Sequence, residues 1–125
     1  MITGIGVDII EIARIQRAID ESGRHFLEKI FTGGEIAYCE SKPHAAQHFA
    51  ARFAAKEALS KALATGWSGT YRWKDVEVLN DPSGRPRLIP HGILGEALAS
   101  AGVHVSLSHS DSHVVAVVVL EEPRT

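Results

Sequence analysis

The sequence RFAAKEALSKA, residues 52–62, forms the centre of the segment that decides the fold. It lies in a stretch rich in alanine, leucine and lysine, from about Ala45 to Thr65, which predicts the best helix of the chain, with Gly66 as its end. At about 100° per residue, one side of this helix collects small apolar residues: Ala51, Ala55, Ala58, Leu59 and Ala62. The opposite side collects Phe53, Glu57, Ser60 and Lys61, with Lys56 beside them. We expect the alanine side to pack closely on a sheet and Glu57 and Lys61 to point away from it.

The segments before this helix predict one strand and two helices. Ile2 to Ile10 is β-branched and contains glycine, which favours a strand. From Glu11 the isoleucines follow helical spacing, and Gly23 is a plausible end for that helix. Thr32 and Glu35, three residues apart, have the spacing of a capping box and predict a short helix through Tyr38.

The segments after the central helix predict strands around one further helix. Two apolar segments, 76–78 and 88–89, flank the turn sequence Asp81-Pro82-Ser83-Gly84, so two strands are expected there. Residues 93–101 predict a helix that Gly102 ends. Residues 103–108 alternate valine or leucine with histidine or serine, which is typical of a strand with one apolar face. Asp111-Ser112 then predicts a turn into the last strand. This order predicts a mixed α/β or α+β domain with an antiparallel C-terminal hairpin.

Composition limits the class of protein. A chain of 125 residues is long enough for one domain, and a net charge of −2 gives no general attraction to nucleic acid. Cys39 is the only cysteine, which excludes an intrachain disulfide and suits a reducing compartment. The longest apolar run, residues 114–120, is too short to span a bilayer, and the N-terminus lacks a signal-peptide pattern. We therefore expect a cytoplasmic protein without a membrane or nucleic-acid partner.

Two carboxylates suggest a metal site, although each has an ordinary alternative. Asp8 lies among apolar residues and glycines, where an ionised side chain is costly unless a cation compensates it; alternatively, Asp8 and Glu11 form a capping box. Glu57 and Lys61 have the spacing of a solvated helical ion pair. Taken together, Asp8 and Glu57 suit Mg²⁺, which uses one or two carboxylates and completes its shell with water and phosphate oxygens. Arg52, Lys56 and Lys61 could neutralise a bound diphosphate.

The remaining candidates are less specific. Seven histidines are present, but none lies in a zinc-binding pattern. Arg14, Arg17 and Arg24 form a basic patch that is either solvated surface or a docking site for an acidic partner. Two other functions stay open on these residues: a non-enzymatic module that binds an acidic protein or nucleic acid through the central helix, and a different Mg²⁺-dependent enzyme acting on a nucleotide diphosphate.

Three segments together resemble the holo-acyl-carrier-protein synthase family. They are GIGVDI at residues 4–9, RFAAKEALSKA at residues 52–62 and HVSLSH at residues 104–109, and the turn Gly84-Arg85-Pro86 also fits. The resemblance implies a single phosphopantetheinyl transferase domain over residues 1–125, with an α+β fold in which one long central helix packs on a mostly antiparallel sheet. It also implies a homotrimer with active sites between subunits.

The resemblance further implies transfer of 4′-phosphopantetheine from coenzyme A to a serine of apo acyl carrier protein, in fatty acid biosynthesis and with Mg²⁺ as cofactor. It assigns the metal to Asp8 and Glu57, and catalysis to Asp8, Glu57, Lys61 and His109. Coenzyme A is assigned to Arg52, Lys56, Lys61, Gly84, Arg85, Pro86, Ser106 and His109. The carrier protein is assigned to Arg14 and Arg24. A water on the metal, Glu57 and His109 all stay open as acceptors of the serine proton.

Two positions depart from the family pattern. This chain has Ala64-Thr65-Gly66 after the central helix where the family often has Gly-Thr-Gly, which is a mild change of loop chemistry. Ser110 separates His109 from Asp111, whereas some members place the aspartate directly after the histidine. This second departure weakens any assignment of Asp111 to catalysis.

Overall fold

The described part of the chain combines antiparallel strands with helices on one side of a sheet. The computed structural model describes residues 1–63 and 71–122, so the predicted helix end at Thr65 and Gly66 and the Ala64-Thr65-Gly66 departure lie outside the described residues. The elements are β1 (Ile2–Glu11), α1 (Ile12–Ile30), α2 (Gly33–Glu40), α3 (Ala45–Ala62), a 3-10 turn (Trp73–Asp75), β2 (Val76–Asn80), β3 (Pro86–Pro90), α4 (Gly92–Ala97), β4 (Gly102–His109) and β5 (His113–Glu121).

The strands form one three-stranded sheet in the order β1-β5-β4 and one separate hairpin of β2 and β3. Every pairing among them is antiparallel. The predicted α+β class and the predicted C-terminal hairpin of β4 and β5 are therefore confirmed. The family resemblance implied one long central helix; α3 runs unbroken for 18 residues, whereas the 19 residues of α1 are interrupted at Gly23.

Helix α3 packs on β1 through two glycines. A Cβ atom at Gly6 would overlap the carbonyl oxygen of Ala58, and one at Gly4 would overlap that of Ala62. The absence of side chains at these positions lets the strand lie directly on the alanine side of the helix. Ala55, Ala58 and Leu59 are fully buried, so the predicted contact between the alanine side and the sheet is confirmed.

The opposite side of α3 is more covered than its sequence predicts. Arg52, Lys56 and Ser60 are all buried. The second half of α1, α2 and β2 form a further layer there, and the rings of Phe31 and Phe49 lie 5.0 Å apart within it. Helical periodicity locates an apolar side but does not reveal that a polar side will also be covered.

Three boundaries differ from the sequence-based expectations. Gly23 adopts φ 50° and ψ −129° and breaks the helix, but the chain resumes helical geometry and α1 continues to Ile30. Asp8 lies within β1 and Glu11, not Asp8, precedes the first helical turn, so the capping-box alternative for Asp8 is wrong. Helix α4 is shorter than predicted and ends at Ala97.

The predicted capping box at α2 is confirmed. The backbone N–H of Glu35 donates to Thr32 Oγ1 at 3.2 Å, and the backbone N–H of Thr32 donates to Glu35 Oε1 at 2.9 Å. Among the helices in residues 1–63 and 71–122, none is long and apolar enough to cross a membrane.

Candidate functional site

Asp8 lies on the helix-covered face of the three-stranded sheet. It pairs with Ala116 of β5, and its neighbours on the same face, Gly6 and Ile10, are buried. The Asp8 side chain is 14% exposed, and its Oδ1 accepts a hydrogen bond from Lys61 Nζ at 3.1 Å. Lys61 Nζ also donates to the backbone carbonyl of Val7 at 3.0 Å. The carboxylate is thus held in a partly buried position with one lysine as its counter-charge.

Glu57 is the second carboxylate of this region. Burial raises the pKa of Glu57, and the nearby Asp8 carboxylate raises it further, while Lys61 and Arg14 oppose the shift. Two acids that repel each other in this way favour a cation between them. Periodicity alone predicted that Glu57 and Lys61 point away from the sheet, and this prediction is wrong. They flank the alanine side of α3 and face β1.

The two carboxylates of this acidic site, which is defined as Asp8, Glu57 and Lys61, fit Mg²⁺ as ligands, whereas the Lys61 ammonium has no lone pair for a metal. Residues 1–63 and 71–122 contain no cluster of three or more histidine, cysteine or acidic side chains that could hold a metal by themselves. Two carboxylates are enough for Mg²⁺ when water and substrate phosphate oxygens supply the other ligands, whereas structural Zn²⁺ and Ca²⁺ sites need more protein ligands. Burial and the Asp8 carboxylate raise the pKa of Glu57 although Lys61 and Arg14 oppose the shift, so the site can take a further positive charge.

A second feature is a cleft of about 680 Å³ between the β2–β3 hairpin and β4. It brings together Arg85, Pro86 and Ser106, which the sequence assigned to coenzyme A, and adds Arg87. Gly84 lies in the adjoining turn with φ 89°, a backbone conformation that favours glycine. Two exposed arginines at one cleft make it a suitable place for a phosphorylated ligand.

The acidic site and the cleft are separate within one chain. None of Asp8, Glu57 and Lys61 lines the cleft. His109 lies on the same sheet face as Asp8, but β5 separates the two strands that carry them. The ring of His109 bonds to Gln47 through Nε2 at 3.1 Å. The structure does not bring His109 to the carboxylates.

Lys56 differs most from its expected place in a coenzyme A pocket. Its side chain is completely buried, and its Nζ donates to Glu35 Oε1 at 2.8 Å, to the carbonyl of Ile30 at 2.8 Å and to the carbonyl of Trp73 at 3.1 Å. Burial lowers the pKa of Lys56, and the Glu35 carboxylate opposes that change. An ammonium group has three donors, so Lys56 has none left for a phosphate.

Arg52 also differs from its expected role as a direct contact to coenzyme A. It is 4% exposed, and its guanidinium carbon lies 4.2 Å from the centre of the Tyr38 ring. Its Nη2 donates to Asn80 Oδ1 at 2.9 Å. Arg52 therefore reaches the turn beside the cleft only through another side chain.

The sequence analysis placed Glu35 only in a capping box and gave Asn80 no role, so it linked neither residue to Lys56 or Arg52. Glu35 accepts from Lys56 and, through Oε2, from the backbone N–H of Val78 at 2.8 Å, so it links α2, α3 and β2. The sequence signal for Glu35 is Lys56, which lies between the apolar and the polar side of α3. A lysine that is buried at such a position requires a partner of opposite charge. Nothing in the sequence distinguished Asn80 from an ordinary residue before a turn.

The two arginines expected at the carrier-protein surface lie in different surroundings. Arg14 is exposed in the first turns of α1 and lies close enough to Glu57 to lower its pKa. Arg24 lies beyond the break at Gly23 and forms an exposed ion pair with Glu40 at 3.1 Å. Only Arg14 borders the acidic site.

The face of the sheet opposite α3 exposes an apolar patch next to the acidic site. Its β1 side chains alternate with Gly6 and Asp8, and the neighbouring strand adds one exposed valine: Ile5, Val7, Ile9 and Val117. A contiguous apolar patch on a small protein marks an interaction surface.

Proteins of one family resemble this chain over nearly its whole length. A model of the 4′-phosphopantetheinyl transferase superfamily matches residues 4–118. A holo-[acyl-carrier-protein] synthase of Geotalea daltonii is 47% identical over 125 residues, covering 98% of this chain and 100% of the relative. The crystal structure of a holo-(acyl-carrier-protein) synthase from Bacillus anthracis in complex with CoA (3′,5′-ADP) has a TM-score of 0.83 and 41% identity, covering 98% of both chains. The enzyme from Neisseria meningitidis has a TM-score of 0.91 and 33% identity, covering 98% of this chain and 100% of that one.

Proposed function

Because this chain belongs to the 4′-phosphopantetheinyl transferase superfamily and transfers 4′-phosphopantetheine from coenzyme A to apo acyl carrier protein, we propose that Asp8 and Glu57 hold the Mg²⁺ on which this transfer depends. The products are holo acyl carrier protein, which serves fatty acid biosynthesis, and adenosine 3′,5′-bisphosphate. The family match sets aside a non-enzymatic binding module and an enzyme without a carrier protein. We also propose a cytoplasmic location, since the buried, unpaired Cys39 suits a reducing compartment.

One observation carries the proposed metal site. Asp8 from β1 and Glu57 from α3 are close enough for the Asp8 carboxylate to raise the pKa of Glu57, and Lys61 bonds to Asp8. When bound, Mg²⁺ would offset the charge of the two carboxylates, and basic side chains would offset that of the coenzyme A diphosphate. The glycines of β1 support this arrangement because they bring the strand close enough to α3 for the two acids to meet.

The reaction forms a bond between the serine oxygen and the phosphorus that carries pantetheine, and breaks the bond from that phosphorus to the bridging oxygen of the diphosphate. Lys61 is proposed to offset the negative charge that develops on the leaving oxygen, after exchanging its bond with Asp8 for one with the diphosphate. Of the two side chains open as acceptors of the serine proton, Glu57 belongs to the acidic site of its own chain, whereas His109 of that chain is bonded to Gln47 and lies two strands away, so that it would have to come from a neighbouring subunit. Glu57 is therefore the acceptor that we propose.

Replacing each carboxylate separately tests the metal site. Asp8→Asn and Glu57→Gln should each reduce transfer at least about 100-fold, because each variant removes one of only two charged ligands from a site that stabilises developing charge. Intact-mass measurement of the carrier protein reports the transfer, and binding of Mn²⁺ reports the metal site independently of turnover. Asp20→Asn, on the exposed side of α1, is a matched control with unchanged activity. Near-normal transfer by both site variants would remove the metal site from the mechanism.

We further propose that the active enzyme is a homotrimer whose sites lie between subunits. Within one chain the acidic site and the basic cleft do not meet, and contact between copies would bring them together while covering the apolar patch. Co-expression of Glu57→Gln chains with Arg85→Ala chains tests this idea. If one chain supplies the carboxylates and its neighbour the cleft, mixed assemblies contain some intact sites and regain activity that neither variant has alone. Activity that stays at the level of the separate variants would contradict shared sites.

Arg14, with Arg24 further along α1, is proposed to bind the acidic carrier protein. Arg14 borders the acidic site, so a carrier docked on it would place its serine near Asp8 and Glu57. Arg14→Glu should raise the KM for the carrier protein and leave the KM for coenzyme A unchanged, whereas Lys74→Glu, on another surface, should change neither. An unchanged carrier KM in Arg14→Glu would exclude this docking surface.

A further inference from the structure

The turn that borders the cleft closes on itself through Asp81. Asp81 Oδ1 accepts from the backbone N–H groups of Ser83 and Arg85, both at 3.0 Å, and from the Ser83 hydroxyl. The backbone adds bonds from Asp81 N–H to the Arg85 carbonyl at 2.9 Å and from Gly84 N–H to the Asp81 carbonyl at 2.8 Å. These bonds define the shape of the turn, but they do not attach it to the body of the protein.

The backbone hydrogen bonds at the end of the β2–β3 hairpin stay within the hairpin. Asn80, the last residue of β2, faces Pro86, the first residue of β3, and the bond from Asp81 N–H to the Arg85 carbonyl follows directly beyond this pair. Hydrogen-bonded and non-hydrogen-bonded pairs alternate in an antiparallel ladder, so Asn80 and Pro86 form a non-hydrogen-bonded pair, where a proline removes no ladder bond. A contact from the turn to the rest of the protein therefore has to come from a side chain.

Asn80 supplies that attachment with both ends of its amide. Its Nδ2 donates to the carbonyl of Gly84 at 3.0 Å, and its Oδ1 accepts from Arg52 Nη2 at 2.9 Å. Arg52 is itself fixed because it is buried on α3 and stacked on the Tyr38 ring. A side-chain amide can donate through its NH₂ group and accept through its oxygen at the same time.

From this chain of contacts we infer that Asn80 is a positioning residue, which acts through Arg52 and Gly84 to hold Arg85 and Pro86 at the wall of the nucleotide cleft. Arg52 then lies in the protein interior and supports the coenzyme A cleft through Asn80, without contacting coenzyme A itself. The bond also ties the cleft to α3, the helix that carries Glu57. This inference rests on the proposed function and takes the adenosine 3′,5′-bisphosphate part of coenzyme A as the ligand of the cleft.

The test measures binding of adenosine 3′,5′-bisphosphate by calorimetry, and steady-state kinetics, with the full-length protein. Asn80→Ala removes two hydrogen bonds and should weaken binding of the nucleotide about tenfold and raise the KM for coenzyme A by a similar factor. The kcat at saturating coenzyme A and the KM for the carrier protein should stay within about twofold, because chemistry and docking use other groups. A general loss of folding would instead lower the apparent kcat in proportion to the folded fraction and leave both KM values unchanged.

Two variants show which bond matters. Asn80→Asp keeps an acceptor for Arg52 but loses the donor to the Gly84 carbonyl, so it should resemble Asn80→Ala if the attachment is what counts. Ser83→Ala, inside the self-closed turn, removes one hydroxyl bond to Asp81 and should leave nucleotide binding unchanged. If Asn80→Asp binds as tightly as the unaltered chain, Asn80 does not hold the turn.

Arg85→Ala separates this inference from the proposed function. If Arg85→Ala leaves adenosine 3′,5′-bisphosphate binding unchanged, the cleft is not the nucleotide site and both proposals fail. If Arg85→Ala weakens binding while Asn80→Ala does not, the cleft assignment stands and the positioning role of Asn80 is overturned. Weaker binding in both variants, with kcat preserved in Asn80→Ala, supports the inference.

Discussion

Helix α3 carries two lysine–carboxylate pairs little more than one turn apart, and they have opposite surroundings. The Lys56–Glu35 pair is 2.8 Å long with both side chains completely buried. The Lys61–Asp8 pair is 3.1 Å long, with Lys61 53% exposed and Asp8 14% exposed. The chemistry of the two pairs is the same, so the difference between them lies in what surrounds them.

The surroundings decide whether a pair can exchange partners. Lys56 has all three donors occupied by Glu35 and two backbone carbonyls, and Glu35 also accepts from Val78 and Thr32. Breaking this pair would leave a charge without water or a partner. Lys61 can turn to solvent or to a phosphate at little cost, because exposed pairs contribute about 0–1 kcal/mol. A buried pair thus fixes the fold, and an exposed one can take part in a reaction.

The largest effect is expected from breaking the buried pair. Lys56→Met should lower the free energy of unfolding by about 3–5 kcal/mol, because the Glu35 carboxylate stays buried without its counter-charge. Urea denaturation at a fixed protein concentration measures this change. Glu35→Gln alone should be similarly harmful, since it leaves the Lys56 ammonium unpaired.

The double variant Lys56→Met/Glu35→Gln is the control for charge. It should be less destabilised than the sum of the two single changes, with a coupling of about 0.5–3 kcal/mol, because it leaves no uncompensated buried charge. Additive losses would mean that shape, and not the charge, explains the cost. A Lys56→Met protein within 1 kcal/mol of the parent would contradict the comparison itself.

A smaller loss of stability is expected when the Lys61–Asp8 pair is disturbed by a substitution at a neighbouring residue. Gly6→Ala places a methyl group against the Ala58 carbonyl and forces β1 away from α3. Overpacking of this kind costs about 1–3 kcal/mol, and it should separate Asp8 from Glu57 and reduce transfer as well. Gly33→Ala, where an added Cβ meets nothing within 4 Å, is the matched control. Equal stability and activity of both variants would show that the close approach of strand and helix is unimportant.

The sequence predicted the elements that depend on local patterns. The alanine side of α3, the capping box at Thr32 and Glu35 and the strand at residues 2–10 each follow from spacing within one segment, and the structure has them there. The pairing of β1 with β5 joins the two ends of the chain and leaves no local signal. The same is true of the second layer that covers Lys56.

The candidate site shows the same difference between local patterns, which the sequence predicts, and contacts between distant segments, which it does not predict. Apolar surroundings identified Asp8 as unusual, and helical spacing placed Glu57 near Lys61. Spacing could not tell that Arg52 and Lys56 turn inward, because their neighbours come from α2, β2 and the end of α1. For the same reason Asn80 went unassigned: its two partners lie 28 and 4 residues away, and only the folded hairpin brings Arg52 and Gly84 to one amide.

The exposed pair should respond to mutation in a different way from the buried one. Lys61→Met should change stability by less than about 1 kcal/mol, since the Lys61 side chain is 53% exposed. It should nevertheless reduce the transfer rate about 10–100-fold at saturating coenzyme A, because the leaving oxygen loses its counter-charge. Without coenzyme A, the variant should bind Mn²⁺ several-fold more tightly, since Lys61 no longer competes for Asp8. Electron paramagnetic resonance of free Mn²⁺ measures this, and weaker binding in Lys61→Met would mean that the lysine does not compete with the metal.

The smallest expected effect is a change in the rate at which Cys39 reacts with a disulfide reagent. This rate reports on the surroundings of the buried Lys56–Glu35 pair. Cys39 is completely buried, and burial raises its pKa to about 11, with Glu35 and Lys56 both acting on its charge. Because the thiolate is the reactive form, the raised pKa and the burial should leave Cys39 almost inert to a disulfide reagent at pH 8 in the parent protein. Lys61→Met should label equally slowly, whereas Lys56→Met should label faster as the surrounding layer loosens. Equal acceleration in both lysine variants would show that the surroundings of the two pairs open together, and the contrast between a fixed pair and an exchangeable one would then be lost.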